Sequence, residues 1–195
     1  MNLKISLPLI LLVSACGKQA ETTSGGPAKD APPAVEYTDY APPAKTYSCR
    51  APARWKAEET SDYGPDEVSF ITSRSKGLSM TSRPSSISIS ISKFPNKSDR
   101  YIDAEAYAKA RAAVDGHAPA YEITRVSGRT VVRFSRERAA SKMHSKKPLY
   151  PIHEDVALIV VPSGFFEISH SAPADSYRDT LAVFEEVVRT FQPKS

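Results

Sequence analysis

From Asp155 to Val161 the chain reads DVALIVV, with apolar side chains at consecutive positions. In an extended strand consecutive side chains point to opposite faces. A strand of this composition therefore has no solvent side, and it predicts the middle of a sheet covered on both faces. Other segments supply its neighbours. Pro162, Ser163 and Gly164 form a turn signal leading into FFEISHS, a second strand. SSISISISKF, Ser85 to Phe94, alternates Ile87, Ile89 and Ile91 with Ser88, Ser90 and Ser92, the period of a strand with one apolar face. EVSFITS, from Glu67, reads as an earlier strand. In YEITRVSGRTVVRFSRE, strands over Tyr121 to Val126 and Thr130 to Ser135 flank a tight turn at Ser127-Gly128, where glycine accommodates a positive φ.

Two segments change period. IDAEAYAKARAAV puts Ile102, Ala106, Tyr107, Ala110 and Val114 on one helical stripe, with Asp103 as the N-cap. In DSYRDTLAVFEEVVRTF, Tyr177, Leu181, Phe184, Val188 and Phe191 recur at helical spacing. Short hairpins and two amphipathic helices around a buried strand predict an α/β sandwich with a mainly antiparallel central sheet. The length from Tyr47 to Phe191 suits one domain with a sizeable core.

The start of the chain has a different organisation. MNLKISLPLILLVSAC carries one charge, Lys4, then an apolar run from Ile5 to Val13 broken by Ser6 and Pro8, then Ser14 and Ala15. That is the layout of a signal peptide, expected over residues 1–15. The run is too short to span a hydrocarbon core, which needs about 20 helical residues. Val13-Ser14-Ala15-Cys16 resembles the lipobox of bacterial lipoproteins, in which the cysteine thiol is acylated and the peptide is cut before it. The resemblance implies Cys16 as the lipid attachment and first mature residue. Two or three acyl chains anchor stably where one does not. It also implies residence in the cell envelope. Gly17 stands where an aspartate often signals inner-membrane retention, so in a host with two membranes the expected place is the outer membrane, facing the periplasm. The rival is a Cys16 to Cys49 disulfide, which requires that the lipobox be false. With Cys16 acylated, Cys49 in YSCRAP is expected to be a buried structural residue, since no base stands beside it.

Residues 16–46 are rich in proline and scattered charge, with Val35 the only branched aliphatic. Such a stretch buries too little apolar surface to offset its ordering entropy, so it reads as a tether. At about 3.1 Å per residue it holds the domain, residues 47–195, several nanometres from the lipid. The formal charge is +4, with 26 basic and 22 acidic residues. Removing Lys4 with the leader leaves +3. This mild, dispersed imbalance argues against nucleic acid as a partner.

Candidate sites are few. Arg136 to Pro151, RERAASKMHSKKPLYP, is long for a strand connection. It holds the densest basic cluster, Arg136, Arg138, Lys142, Lys146 and Lys147, with His144 able to add charge as pH falls. An acidic partner or anionic lipid headgroups are the expected contacts. No G-x-S-x-G elbow, H-E-x-x-H, phosphate-binding glycine loop or C-x-x-C pair occurs. No cofactor or metal is expected. The nearest thing to catalytic chemistry is His153-Glu154-Asp155, where His153 and Asp155, not Glu154, share a strand face. A hydrolase using that region is the alternative function. His170, among serines, is expected at a polar edge, and His117 in a loop. Trp55 and the aromatics of the last helix are expected in the core.

Trp55 in APARW, the passage FFEISHSAPADSYRD and the closing LAVFEEVVRTF resemble the PsbP-like family, which shares a fold with the Ran-binding Mog protein. The resemblance runs over nearly all of residues 47–192, with Ala53 and Arg54 standing where a glycine often precedes the tryptophan. It implies an α/β/α sandwich with helices on both faces of the sheet. It also implies a non-enzymatic binding or assembly role, sometimes on a lipid-anchored exported protein, here with an envelope protein as partner.

Overall fold

The computed structural model describes residues 35–60, 67–72, 87–96, 101–113, 120–141 and 148–194. Among these residues, ten strands and two helices occur in the order β1 (Tyr37–Tyr40), β2 (Tyr47–Pro52), β3 (Lys56–Thr60), β4 (Glu67–Ile71), β5 (Ser88–Pro95), α1 (Ala104–Ala112), β6 (Glu122–Val126), β7 (Arg129–Ser141), β8 (Pro148–Val161), β9 (Gly164–Pro173), α2 (Tyr177–Thr190) and β10 (Gln192–Pro193). Seven strands form one sheet in the order β3-β4-β5-β9-β8-β7-β6, and every neighbouring pair in it is antiparallel. This is the expected α/β sandwich. DVALIVV lies in β8, between β9 and β7, and residues Asp155 to Ile159 are all buried.

Each face of the sheet has its own core. One side gathers Val68, Phe70, Ile89, Ile91, Val131, Ala157, Ile159, Phe166 and Ile168 beneath α2 and β2. The other puts Val132, Phe134, Val156, Leu158 and Phe165 beneath α1. The alternation of β5 splits accordingly: Ile89 and Ile91 enter the first core, while its serine face continues to Phe94, which stacks on Phe165 at 5.3 Å. Ser90 also bonds Ser69 of β4 through the two hydroxyls at 2.8 Å. Trp55 packs at the margin of the first core.

The turns follow residue chemistry. Ser127 and Gly128 both take positive φ, 50° and 80°, the pattern of a type I′ hairpin. At Gly164 φ is 148°, and a Cβ there would stand 2.0 Å from the Phe94 carbonyl oxygen, so only glycine fits between β9 and β5. Asp103 caps α1, accepting the Ala106 N–H at 2.9 Å.

Three expectations need correction. The inner stripe of α1 is Ala104, Tyr107 and Ala108; Ile102 is 69% exposed and Ala110 is exposed, and Val114 lies outside the described residues. Alanines fit either phase, so the large side chain of Tyr107 decides which face turns inward. Second, the domain begins before Tyr47. Tyr37–Tyr40 pairs antiparallel with β2 in a three-stranded sheet closed by β10. Tyr40 meets the Phe70 ring edge-on at 4.9 Å and donates to Glu59 at 3.0 Å. Two tyrosines supply the burial that the proline-rich composition hides. Third, β7 and β8 run well into the stretch read as a loop: Arg136 opposes Glu154, and Glu137 opposes His153. Cross-strand pairing of opposite charges makes this polar stretch extended.

Deleting residues 17–34 is expected to leave the thermal transition unchanged, whereas deletion through residue 44 removes β1. Loss of its aromatic contacts should lower stability by about 2 kcal/mol. Equal melting temperatures for the two deletions would show that β1 contributes nothing.

Candidate functional site

On the α2 side of the sheet the apolar pattern of three strands is interrupted at neighbouring positions. Ser135 of β7 lies opposite Asp155 of β8, and Asp155 lies opposite His170 of β9. One register step further, Glu137 faces His153. Because side chains alternate, these residues form a polar patch continuous with the core made by Val131, Ala157 and Ile168. Tyr177, the first residue of α2, comes down onto it.

Asp155 is the centre of the patch. It accepts hydrogen bonds from the hydroxyls of Ser135 at Oδ1 and Tyr177 at Oδ2. His153 places Nε2 3.8 Å from Asp155 Oδ1 and Nδ1 3.5 Å from Glu137 Oε1, and its ring lies 4.0 Å from that of Tyr177. Burial, then the hydrogen bond to Asp155, raises the Tyr177 phenol above its ordinary value, so it stays a donor at neutral pH.

His170 is fully buried, at 0% exposure, a correction to its expected place at a polar edge: β9 is an inner strand. Its Nε2 lies 2.9 Å from Thr180 Oγ1, and that hydroxyl donates to the Tyr177 carbonyl at 3.3 Å. Nε2 therefore carries the proton, and Nδ1 is a buried acceptor with no hydrogen bond among the described residues. Burial pushes the ring's pKa down to about 4, so His170 is neutral. It stacks on Phe184 at 5.8 Å.

A cleft of about 520 Å³ opens beside this patch, between the β6–β8 end of the sheet and α2. Tyr121, Glu122, Arg133, Ser135, Asp155, Tyr177, Leu181, Phe184 and Glu185 line it. Arg133 spans it as a two-pronged pair with Glu185, both bonds 2.8 Å, and that pairing raises the guanidinium's pKa further. Its volume falls in the range of ligand-binding clefts, about 300 to 1,000 Å³.

The expected convergence of His153 and Asp155 on one strand face is present, while Glu154 turns to the opposite face and pairs with Arg136 at 2.5 Å. Arg136 is thus a strand residue with a largely buried partner, not a free loop cation. Arg138 lies within β7. Lys142, His144, Lys146, Lys147, His117 and Cys16 lie outside the described residues. Cys49 is free and buried, its thiol pushed up to about 12 by that burial, which makes it inert at neutral pH. Sequence reading missed Ser135, Tyr177, Arg133 and Glu185. The available signal was the run Arg133, Ser135, Glu137: polar residues in the strand phase of Val131, hence aimed toward the helix that covers it.

Among the described residues, no three His, Cys, Asp or Glu side chains are grouped to hold a metal ion. No described helix is long and apolar enough to cross a membrane.

No protein-family model matches the chain, and no curated protein matches it in sequence. Solved structures match it in fold. Mog1p, a Ran-binding protein of Saccharomyces cerevisiae, aligns at 13% identity over 82% of this chain and 96% of its own, with a TM-score of 0.50. LpqN of Mycobacterium tuberculosis, described as involved in cell envelope biogenesis, aligns at 12% identity over 83% of this chain and 92% of its own, TM-score 0.52. A cyanobacterial PsbP from Synechocystis sp. PCC 6803 aligns at 14% identity over 86% and 98%, TM-score 0.48. Of a larger protein from Bacteroides thetaiotaomicron VPI-5482 the chain spans about half, 48%, at 11% identity over 80% of this chain and TM-score 0.51. The chain shares its sandwich fold with Mog1p and LpqN.

Proposed function

We propose that this chain is a non-enzymatic binding or assembly module of the bacterial cell envelope, held at the membrane by an acylated Cys16 and engaging a protein partner through the cleft beside α2. The observation that carries the reading is the order of groups at the cleft: Asp155 sits between Ser135 and His153. A serine nucleophile needs the imidazole next to its hydroxyl, with the acid behind it. Here the carboxylate itself takes the serine's hydrogen bond, and a second hydroxyl holds it still. Such a cluster fixes a charge in a preformed cleft, which suits recognition better than the hydrolase alternative at His153 and Asp155. The fold shared with a Ran-binding protein and with an envelope-biogenesis protein supports the same direction. VSAC after the charged and apolar leader supports the anchor, and with it the outer membrane in a host with two membranes. The lysines at 142, 146 and 147 remain the proposed contact for anionic headgroups, without Arg136.

Two experiments test this. Incorporation of a labelled lipid precursor is expected in the native chain and lost in Cys16→Ser; a labelled, membrane-bound Cys16→Ser protein would reject the anchor. A photo-crosslinking side chain at Tyr121, at the mouth of the cleft, is expected to give a discrete adduct in intact envelopes. The same probe at Glu105, exposed on α1, should give none. Identical patterns from both positions would reject the cleft as the contact site.

A further inference from the structure

The two edges of the seven-stranded sheet are built differently. At one end β3 carries Lys56, Glu58 and Glu59, and the Tyr40 hydroxyl of β1 donates to Glu59 at 3.0 Å. Charges at this density blunt an edge against further pairing. At the other end β6 pairs, among the described strands, only with β7. Of the residues of β6 only Val126 packs against a core. Ile123 is 53% exposed, and Tyr121, which leads into the strand, is 37% exposed. The edge with exposed apolar side chains is thus the one left open.

The hairpin decides which main-chain groups are free. Val126 and Arg129 flank the two-residue turn at Ser127-Gly128, so they exchange both hydrogen bonds of their pair. The bonded pairs recur at every second residue, Thr124 with Val131 and Glu122 with Arg133. The N–H and C=O groups of Ile123 and Arg125 therefore point away from β7, and Tyr121 continues the same phase. The side chains at 121, 123 and 125 share the sheet face of Val132, opposite to that of the cleft.

We propose that β6 is a dimer contact: two copies of this chain add edge to edge, antiparallel, about a two-fold axis through Ile123, and join their sheets into one. Side-chain chemistry selects this register. With Ile123 opposite itself, the two exposed isoleucines cover each other, and each Arg125 stands opposite the Tyr121 ring of the second copy, a cation against an aromatic face. Glu122 stands opposite Thr124, whose hydroxyl has no hydrogen bond among the described residues. Moving the axis to Glu122 sets two carboxylates against each other, and moving it to Thr124 sets Ile123 against Arg125. One patch serves both copies, as a closed two-fold dimer requires. Two five-residue strands bury less than the roughly 1,200 Å² at which standard interfaces begin, so association in solution is weak and grows with local concentration, as between chains anchored in one membrane. The dimer goes beyond the envelope-partner reading and does not depend on it.

The test uses the full chain carrying Cys16→Ser, with the buried Cys49 left in place. Sedimentation velocity is expected to show monomer shifting toward dimer as concentration rises. Ile123→Lys places two ammonium groups on the axis. Since the position is exposed, the variant should keep the native melting temperature while its association weakens about tenfold or more. Ile123→Glu should behave alike, and an equimolar mixture of the two variants should recover association, which requires that position 123 face itself. Glu122→Cys, Ile123→Cys and Thr124→Cys, made singly, read the register. Under mild oxidation Ile123→Cys is expected to give the disulfide-linked dimer and the other two far less, because only a residue on the axis meets itself within disulfide reach. A monomer at every concentration, dimerisation of Ile123→Lys equal to that of the native chain, or preferential linking through Glu122→Cys or Thr124→Cys would overturn the proposal. A Tyr121 cross-link in envelopes with the mass of two chains supports the dimer. Absence of self-association together with a Tyr121 adduct to a different protein rejects the dimer and leaves the envelope partner standing.

Discussion

Replacing Phe184 with alanine is expected to lower unfolding stability by about 3 to 5 kcal/mol, the range for deleting a fully buried phenylalanine. Phe184 is 2% exposed, and it belongs to the core that also holds Val183, Val187, Val188 and Phe191. Its ring stacks on the buried His170 ring and contributes to the wall of the cleft. The neighbouring backbone cannot close the gap, because α2 is held at one end by the Tyr177–Asp155 hydrogen bond and at the other by the Phe191 ring stacked on Tyr47 at 5.0 Å. The truncation therefore leaves most of its cavity open, and the cost sits toward the upper part of the range. Urea denaturation measures it, with the slope expected to match that of the native chain. A midpoint shift worth less than about 0.5 kcal/mol would mean that α2 buries a different face.

That the helix face is legible from sequence while the cleft is not has a physical reason. Phe184, Val188 and Phe191 are large, apolar and at helical spacing, so burial and period point the same way. In β5 and β8 the same agreement holds, because isoleucine and valine have one favourable environment and the pleat sets their direction. Where a residue tolerates two environments the sequence is mute. Alanines left the phase of α1 open until Tyr107 settled it through its contact with Phe165 at 5.2 Å. Tyr37 and Tyr40 sit among prolines and charges, and only β2 across from them makes their strand visible. Arg136, Glu137 and Arg138 look like loop until Glu154 and His153 stand opposite the first two. The cleft is less legible again: Glu122, Arg133, Asp155 and Glu185 come from four elements, and their convergence depends on strand register, which no local pattern records.

Acid should destabilise the domain through His170, by about 3 kcal/mol between pH 7 and pH 4. In the fold, burial lowers the ring's pKa from 6.5 to about 4. Asp155 opposes that shift and His153 adds to it, both more weakly than burial. As pH falls through 6.5 the unfolded chain takes up a proton that the folded chain refuses until about pH 4, so stability is lost across that window and is fully present above it. Glu167, facing α1, works in the opposite direction. Burial raises its pKa, more than the Tyr107 hydrogen bond and Arg111 lower it, so the folded chain takes up that proton first and gains stability as pH falls. The net pH profile mixes both, and a variant separates them. Chemical denaturation of the native chain and His170→Gln at several pH values should give curves that converge toward pH 4, the variant losing about 3 kcal/mol less than the native chain from pH 7 downward. Parallel curves would remove His170 as the acid-sensitive group. The consequence reaches the cleft, since His170 bonds Thr180 in the first turn of α2, three residues after Tyr177 and next to Leu181, both in the cleft wall. Protonating a ring that is fully buried loosens that turn, so partner binding at the cleft should weaken over the same pH window in which stability falls.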